Sequence, residues 1–267
     1  MKPQTILFDL DDTLVHCNKY FDLVIEQFAA QLQSWFAAAD ISAETIKKKQ
    51  LEIDTIGVNL HGFSIEHFPL SLVDTYQYFS EILDRPRSIE ETDWLIQLGN
   101  SVFTKEVEPY PFMLETLEKL RLEGHRLYLY TGGVDAVQLK KVAAMRLETY
   151  FENRIFIRKH KNKAALEEII VQQQFDRSQT WMIGNSLRTD ILPSLEAGIH
   201  SIYVPAITEW EYNIIEIKIT PKGAYLTVPT LNEVPEAMHR YLQSKENLPQ
   251  LLVKTEQSKP KKLVEGT

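Results

Sequence analysis

A short apolar run, Thr5-Ile6-Leu7-Phe8, passes directly into Asp9-Leu10-Asp11-Asp12-Thr13-Leu14. Three carboxylates so close together repel one another, and folding gives no reason to gather them at the end of an apolar segment. The run has the length and composition of a buried strand. Alternate strand residues share a face, so Asp9 and Asp11 point the same way if strand geometry persists. One carboxylate can then attack a phosphorus atom while the other gives and takes a proton. A plainer reading stands beside this one: a strand followed by an acidic turn, with Asp12 or Thr13 capping a helix.

The rest of the chain must supply the elements that position such a pair. Beyond Leu14 the apolar pattern becomes helical, with Phe21, Val24, Ile25, Phe28, Leu32 and Trp35 recurring at three- and four-residue intervals. Similar patterns cover 46–56, 72–83 and 92–103, punctuated by Gly57, Gly62, Pro69 and Pro86. Residues 15–105 therefore read as an all-helical cap domain inserted after the first strand. From Pro109-Tyr110-Pro111 onward, strands and helices alternate. Strands are expected over 126–130, 155–157, 180–183 and 201–204, with helices over 112–122, from near Asp135, and over 163–173 and 190–197. This alternation predicts an α/β fold, a Rossmann-like three-layer core with a parallel sheet of right-handed βαβ units, formed by residues 1–14 and 106–243. Ligands of such sheets sit beyond the carboxyl ends of the strands. Asp9 and Asp11, Thr131-Gly132-Gly133, and the stretch from Gly184 to Asp190 all follow expected strand ends. Residues 244–267, rich in Lys, Gln, Glu and Pro, read as a disordered tail, its Lys259-Pro260-Lys261-Lys262 run a weak polyanion contact at most.

Together, Asp9-Leu10-Asp11-Asp12-Thr13-Leu14, Thr131-Gly132-Gly133, and Gly184-Asn185-Ser186 with Asp190 make the chain resemble the haloacid dehalogenase superfamily of phosphohydrolases. The residues make sense in that chemistry. Asp9 is the expected nucleophile, giving an aspartyl-phosphate, and Asp11 the acid and base that protonates the leaving oxygen and later activates water. Phosphoryl transfer needs mostly positioning and charge stabilisation, which Mg²⁺ suits because it takes hard oxygen ligands. Asp9 and Asp190 are the expected side-chain ligands, and the resemblance implies a third from the Asp11 carbonyl. The chain departs from the commoner pattern at Asn185, where the superfamily has Asp. Asn185 keeps an oxygen acceptor and is expected still to orient the metal or its water. Thr131 and the amides around Gly132 are candidates for holding the phosphoryl oxygens, although a Gly-Gly connection with Thr131 as a turn former accounts for the same residues. The resemblance also implies a lysine before the last acidic motif. Lys163, leading a helix, is the choice, with Lys161 and Lys159 as close rivals.

Composition limits the alternatives. The chain has 267 residues, 44% hydrophobic and 25% charged, with a net charge of −8. That field disfavours nucleic acid as a partner. No apolar stretch reaches membrane-spanning length and no signal peptide is visible. Cys17, the single cysteine, precludes an internal disulfide and fits a cytoplasmic protein, a monomer or weak homodimer by default. The expected activity is Mg²⁺-dependent hydrolysis of a small phosphomonoester. Phe63, Phe68, Tyr76 and Tyr78 in the insertion suit a nucleoside monophosphate as well as ordinary helix packing; a small sugar phosphate is the other candidate. A phosphate-binding protein without activity is favoured by Asn185 alone. A dehalogenase would not need Asp11, because halide leaves without a proton. His61 and His67 in the insertion read either as facing a substrate or, more plainly, as incidental loop residues near Gly62, and Trp210-Glu211-Tyr212 as a lip near the site or a packed surface loop.

Overall fold

The computed structural model describes residues 2–257. Six strands form one parallel sheet: β1 Thr5–Phe8, β2 Arg126–Gly132, β3 Ile155–Arg158, β4 Thr180–Gly184, β5 His200–Tyr203 and β6 Tyr225–Thr227. Their order is β3-β2-β1-β4-β5-β6, and every neighbouring pair is parallel. The strand order reverses between β1 and β4, which opens a crevice beyond their carboxyl ends.

Side-chain alternation along β1 assigns the two layers that sandwich the sheet. Ile6 and Phe8 pack with Leu117, Val142 and Met238, which belong to α5 (Met113–Leu122), α6 (Asp135–Ala144) and α10 (Val234–Gln257). Leu7 packs on the other face with Leu166, Ile169 and Ala197, from and beside α8 (Lys163–Gln172) and α9 (Leu192–Glu196). A short α7 (Glu148–Phe151) closes the first layer through the buried Phe151.

Between β1 and α5 run four helices: α1 Asn18–Trp35, α2 Ala43–His61, α3 His67–Ile82 and α4 Ile89–Asn100. They bury a core of their own around Phe28, Leu32, Leu72, Tyr76 and Leu95. Val15, by contrast, packs in the sheet-side core. Ser42 and Ser88 cap α2 and α4, each accepting from a backbone N–H three residues on. Asp12 serves the start of α1 from outside the helix, its carboxylate accepting from the N–H groups of Cys17 (3.1 Å), at the N-cap position, and Asn18 (2.8 Å). Its φ of 59° is a left-handed conformation that Asp tolerates and that turns the chain out of β1. Asp12 is therefore the capping residue of the acidic run.

Helix α10 runs to Gln257, past Ser244; Leu, Lys, Gln and Glu are good helix formers, and polar composition alone does not oppose a helix. The Lys259–Lys262 run lies outside the described residues. The segment expected to be one helix over 190–197 begins instead as a π-helical turn, Leu187–Ile191, before α9. Among the described residues, no helix is long and apolar enough to cross a membrane.

Candidate active site

Asp9 follows β1 directly, and its backbone N–H donates to the Ile183 carbonyl of β4 (2.9 Å), which fixes it at the crevice. Asn185 follows β4, and the buried Asp190 is turned back toward it by the π-helical turn. The Ser186 N–H donates to Asp190 Oδ2 (2.9 Å), and the Ser186 hydroxyl accepts from the Thr189 N–H. Thr13 links the two strand ends: its hydroxyl lies 3.1 Å from Asp9 Oδ2 and 3.3 Å from Asn185 Oδ1.

The lysine that reaches these carboxylates is Lys161, not Lys163. Lys161 Nζ is 2.5 Å from Asp9 Oδ1 and 2.5 Å from Asp190 Oδ1, and the residue is buried. Lys163 is exposed in the first turn of α8. The cause is local. Asn162 is the N-cap of α8, accepting from the Ala165 N–H, so the chain before it leans over the strand ends while the helix carries Lys163 away. Burial works to discharge Lys161, but Asp190 and Asp9 outweigh it and hold its ammonium above the ordinary lysine range. Burial pushes the Asp9 carboxyl up, against the pull of Lys161.

Asp11 faces a second cation. Lys141 Nζ lies 2.6 Å from Asp11 Oδ1, and Gln138 Nε2 donates to Asp11 Oδ2 (2.9 Å). The same Gln138 amide donates to the Thr131 hydroxyl (2.7 Å). Thr131 is the buried penultimate residue of β2, and Gly132 lies beneath the Phe63 ring, 2.7 Å from where a Cβ would stand. Gln138 and Lys141, three residues apart on α6, were not anticipated; their only signal is a polar pair at i, i+3 on a face that should be apolar. Cys17 lines the same cavity, and burial pushes its thiol well up, so it is held protonated rather than nucleophilic.

Asp9, Asp11, Thr131, Gly132, Lys161 and Asn185 line one cavity of about 430 Å³, within the range of small-molecule sites. Its walls continue into the helical insertion through Phe21, Phe63, Phe68 and His67, and over the crevice through Trp210 and Glu211. Tyr76 is buried in the insertion's own core and Tyr78 is exposed, so neither faces the cavity. The Trp210 ring packs on Tyr212 (4.6 Å between centroids), whose carbonyl accepts from Arg188 Nε. His61 is exposed at the end of α2 and lies outside the cavity.

The oxygens of Asp9, Asp190 and Asn185 form a hard donor set. Asp190 Oδ1, although near Lys161 Nζ, takes no well-aligned hydrogen bond. Buried carboxylate oxygens gathered with an amide oxygen fit a small divalent cation. A second grouping of metal-type side chains, Glu123, His125 and His239, lies at the opposite, N-terminal end of the strands. There the Gln4 N–H donates to His125 Nδ1 (3.1 Å), which places the neutral ring's proton on Nε2 and leaves that nitrogen no lone pair for a metal.

Comparisons with known proteins give the family and a likeness of fold. The family model for haloacid dehalogenase-like hydrolases matches residues 6–204. The chain is 28% identical over 212 residues to the pyrimidine 5′-nucleotidase of Streptococcus pneumoniae, covering 74% of this chain and 82% of that protein. It is 25% identical over 222 residues to the glyceraldehyde 3-phosphate phosphatase of Methanothermobacter thermautotrophicus, covering 80% of this chain and 91% of that one. The crystal structure of a haloacid dehalogenase-like hydrolase from Xanthomonas campestris superposes with a TM-score of 0.72 at 21% identity, over 89% of this chain and 91% of the other, a likeness of fold.

Proposed function

The chain belongs to the haloacid dehalogenase-like hydrolase family, and from that premise we propose that it is a Mg²⁺-dependent phosphatase acting through an aspartyl-phosphate on Asp9. One observation carries the reading: Lys161 joins Asp9 to Asp190 at the mouth of the β1–β4 crevice, with Asn185 tied to Asp9 through Thr13. The two curated relatives are named as phosphatases of a nucleotide and of a triose phosphate, which supports hydrolysis of a phosphomonoester.

The chain's own groups then divide the work. An Asp9 carboxylate oxygen attacks phosphorus, the bond to the leaving oxygen breaks, and Asp11 supplies that oxygen's proton. Asp11, now ionised, takes a proton from the water that attacks the aspartyl-phosphate, releasing phosphate and restoring Asp9. Lys161 and the Thr131 hydroxyl stand where the transferring oxygens carry charge. Asp9, Asp190 and Asn185, with the Asp11 carbonyl, would hold Mg²⁺, which when bound supplies positive charge against the phosphoryl oxygens. A single cysteine suits the cytoplasm.

Hydrolysis of p-nitrophenyl phosphate with Mg²⁺ tests the proposal. Activity in the wild type that disappears in Asp9→Asn is expected. Equal rates in the two proteins would contradict it.

A further inference from the structure

The chemistry above uses only the floor of the cavity. Its far wall, inside the helical insertion, holds a second set of polar groups that the reaction does not need. His67, the first residue of α3, places Nε2 2.9 Å from the Asp54 carbonyl oxygen and 3.1 Å from Asp54 Oδ1. Both neighbours are acceptors, so Nε2 carries a proton, and the hydrogen bond to Asp54 raises the ring's affinity for a second one against the opposing effect of burial. The Cε1 edge of the ring meets Gly57 of α2: a Cβ there would stand 1.8 Å from His67 Cε1, so no other residue leaves room for the imidazole. Among the described residues His67 Nδ1 has no hydrogen-bond partner. Gln50, buried one turn before Asp54, donates its amide N–H to Ser71 Oγ (2.9 Å), which leaves its carbonyl oxygen as an acceptor. Asp54, Gln50 and His67 all line the cavity that Asp9 opens.

Around these groups the wall is apolar and aromatic, with Phe21, Leu51 and Phe68. Of the insertion's lysines that line the cavity, Lys47 is paired with Glu26, and Lys105 is exposed at the insertion's end. The wall therefore offers apolar surface together with acceptor oxygens from Gln50 and Asp54, the Asp54 carboxylate being held against His67. An anionic leaving group would meet that carboxylate in a site of low dielectric, at a cost that grows as water is excluded. A neutral group with O–H or N–H donors would satisfy it.

We propose that Asp54, Gln50 and His67 form the leaving-group subsite, built to take a neutral, partly aromatic alcohol that donates hydrogen bonds, of nucleoside size, and to refuse a carboxylate-bearing one. The subsite rests on the phosphatase reading for its role in turnover, but not for binding. His67, oriented by Asp54 and by the absence of a side chain at Gly57, sets the position of the donor it meets.

The test compares kcat/KM for uridine 5′-monophosphate and for phosphoglycolate with Mg²⁺, and titrates uridine alone calorimetrically. The wild type is expected to favour the nucleotide by at least about tenfold, because an unpaired buried polar group is costly to a mismatched ligand. Asp54→Asn keeps the side chain's shape and removes its charge; the preference should fall about tenfold, mostly through KM, and uridine should bind more weakly. Gln50→Leu, which removes an acceptor at similar volume, serves as the second variant should Asp54→Asn fail to fold. A wild type that prefers phosphoglycolate, or variants that keep both selectivity and uridine affinity, would overturn the subsite. Failure of every phosphate ester to react would instead sink the phosphatase reading, and the uridine titration would still decide this one.

Discussion

Lys141 Nζ sits 2.6 Å from Asp11 Oδ1, so the side chain cast as acid and base is held by a cation rather than left free in the cavity. Burial works to discharge Lys141, and Asp11 more than offsets it. Lys141 is thus a positioning residue for Asp11. Esters whose leaving oxygen needs a proton should feel its loss most. In Lys141→Met, kcat on an alkyl phosphate should drop by roughly tenfold or more, and kcat on p-nitrophenyl phosphate much less, since p-nitrophenolate departs without a proton. Equal losses on both esters would show that Lys141 does something other than place Asp11.

Lys161 and Lys163 offer a sharper contrast. Removing Lys161 leaves Asp9 and Asp190 facing each other while buried, and breaking a buried pair in this way costs about 3–5 kcal/mol. Lys161→Met should lose at least ~100-fold in kcat, by analogy with removal of a preorganised charge-stabilising donor, and should melt at lower temperature. Lys163→Met, altering an exposed helix residue, should change either quantity little. A Lys163 variant as impaired as the Lys161 variant would reverse the assignment.

Much of this site was legible before any coordinates. Asp9, Thr131 and Asn185 could be placed because each follows a strand whose apolar run is short and well bounded, and parallel sheets gather strand ends on one side. Lys161 stood as a rival to Lys163, and α8 starts at Lys163 as its apolar period predicts; which lysine stays with the sheet depends on the Asn162 cap, a side-chain contact that periodicity does not register. Asp54 and His67 lie 13 positions apart on different helices, and a single sequence carries no sign that they touch. The edge strand β6 is three residues long, too short for a period of two to register.

Asn185 defines a metal prediction. Its Oδ1 is 3.3 Å from the Thr13 hydroxyl that also reaches Asp9. Asn185→Asp adds a negative charge beside the proposed cation site, so half-maximal activation should need several-fold less Mg²⁺, and chelation with EDTA should destabilise the variant more than the wild type. An unchanged half-saturation would mean that this side chain does not feel the metal.

His200 gives a pH prediction outside the site. The Ala224 N–H donates to its Nδ1 (2.7 Å) and its Nε2 contacts the Ser178 carbonyl (3.0 Å), so the neutral Nε2–H form is built in. Burial lowers its pKa below the ordinary 6.5. The unfolded chain therefore binds the proton first on acidification. This contribution to stability is fully present above pH 6.5 and is lost as pH falls from there toward the depressed folded value. The stability difference between wild type and His200→Asn should shrink over that window, by at most about 1.4 kcal/mol per pH unit. A difference that stays constant or widens would refute the neutral assignment.

The central claim is that Asp9 carries the phosphoryl group. Rapid acid quench of the enzyme during turnover with Mg²⁺, followed by mass spectrometry of the peptide containing Asp9, addresses it directly. The account requires a fraction of that peptide to gain the mass of one phosphoryl group on Asp9, in a form labile to hydroxylamine, and to lose it in Asp9→Asn. Turnover with no adduct at any quench time, or with the adduct on another residue, would contradict it.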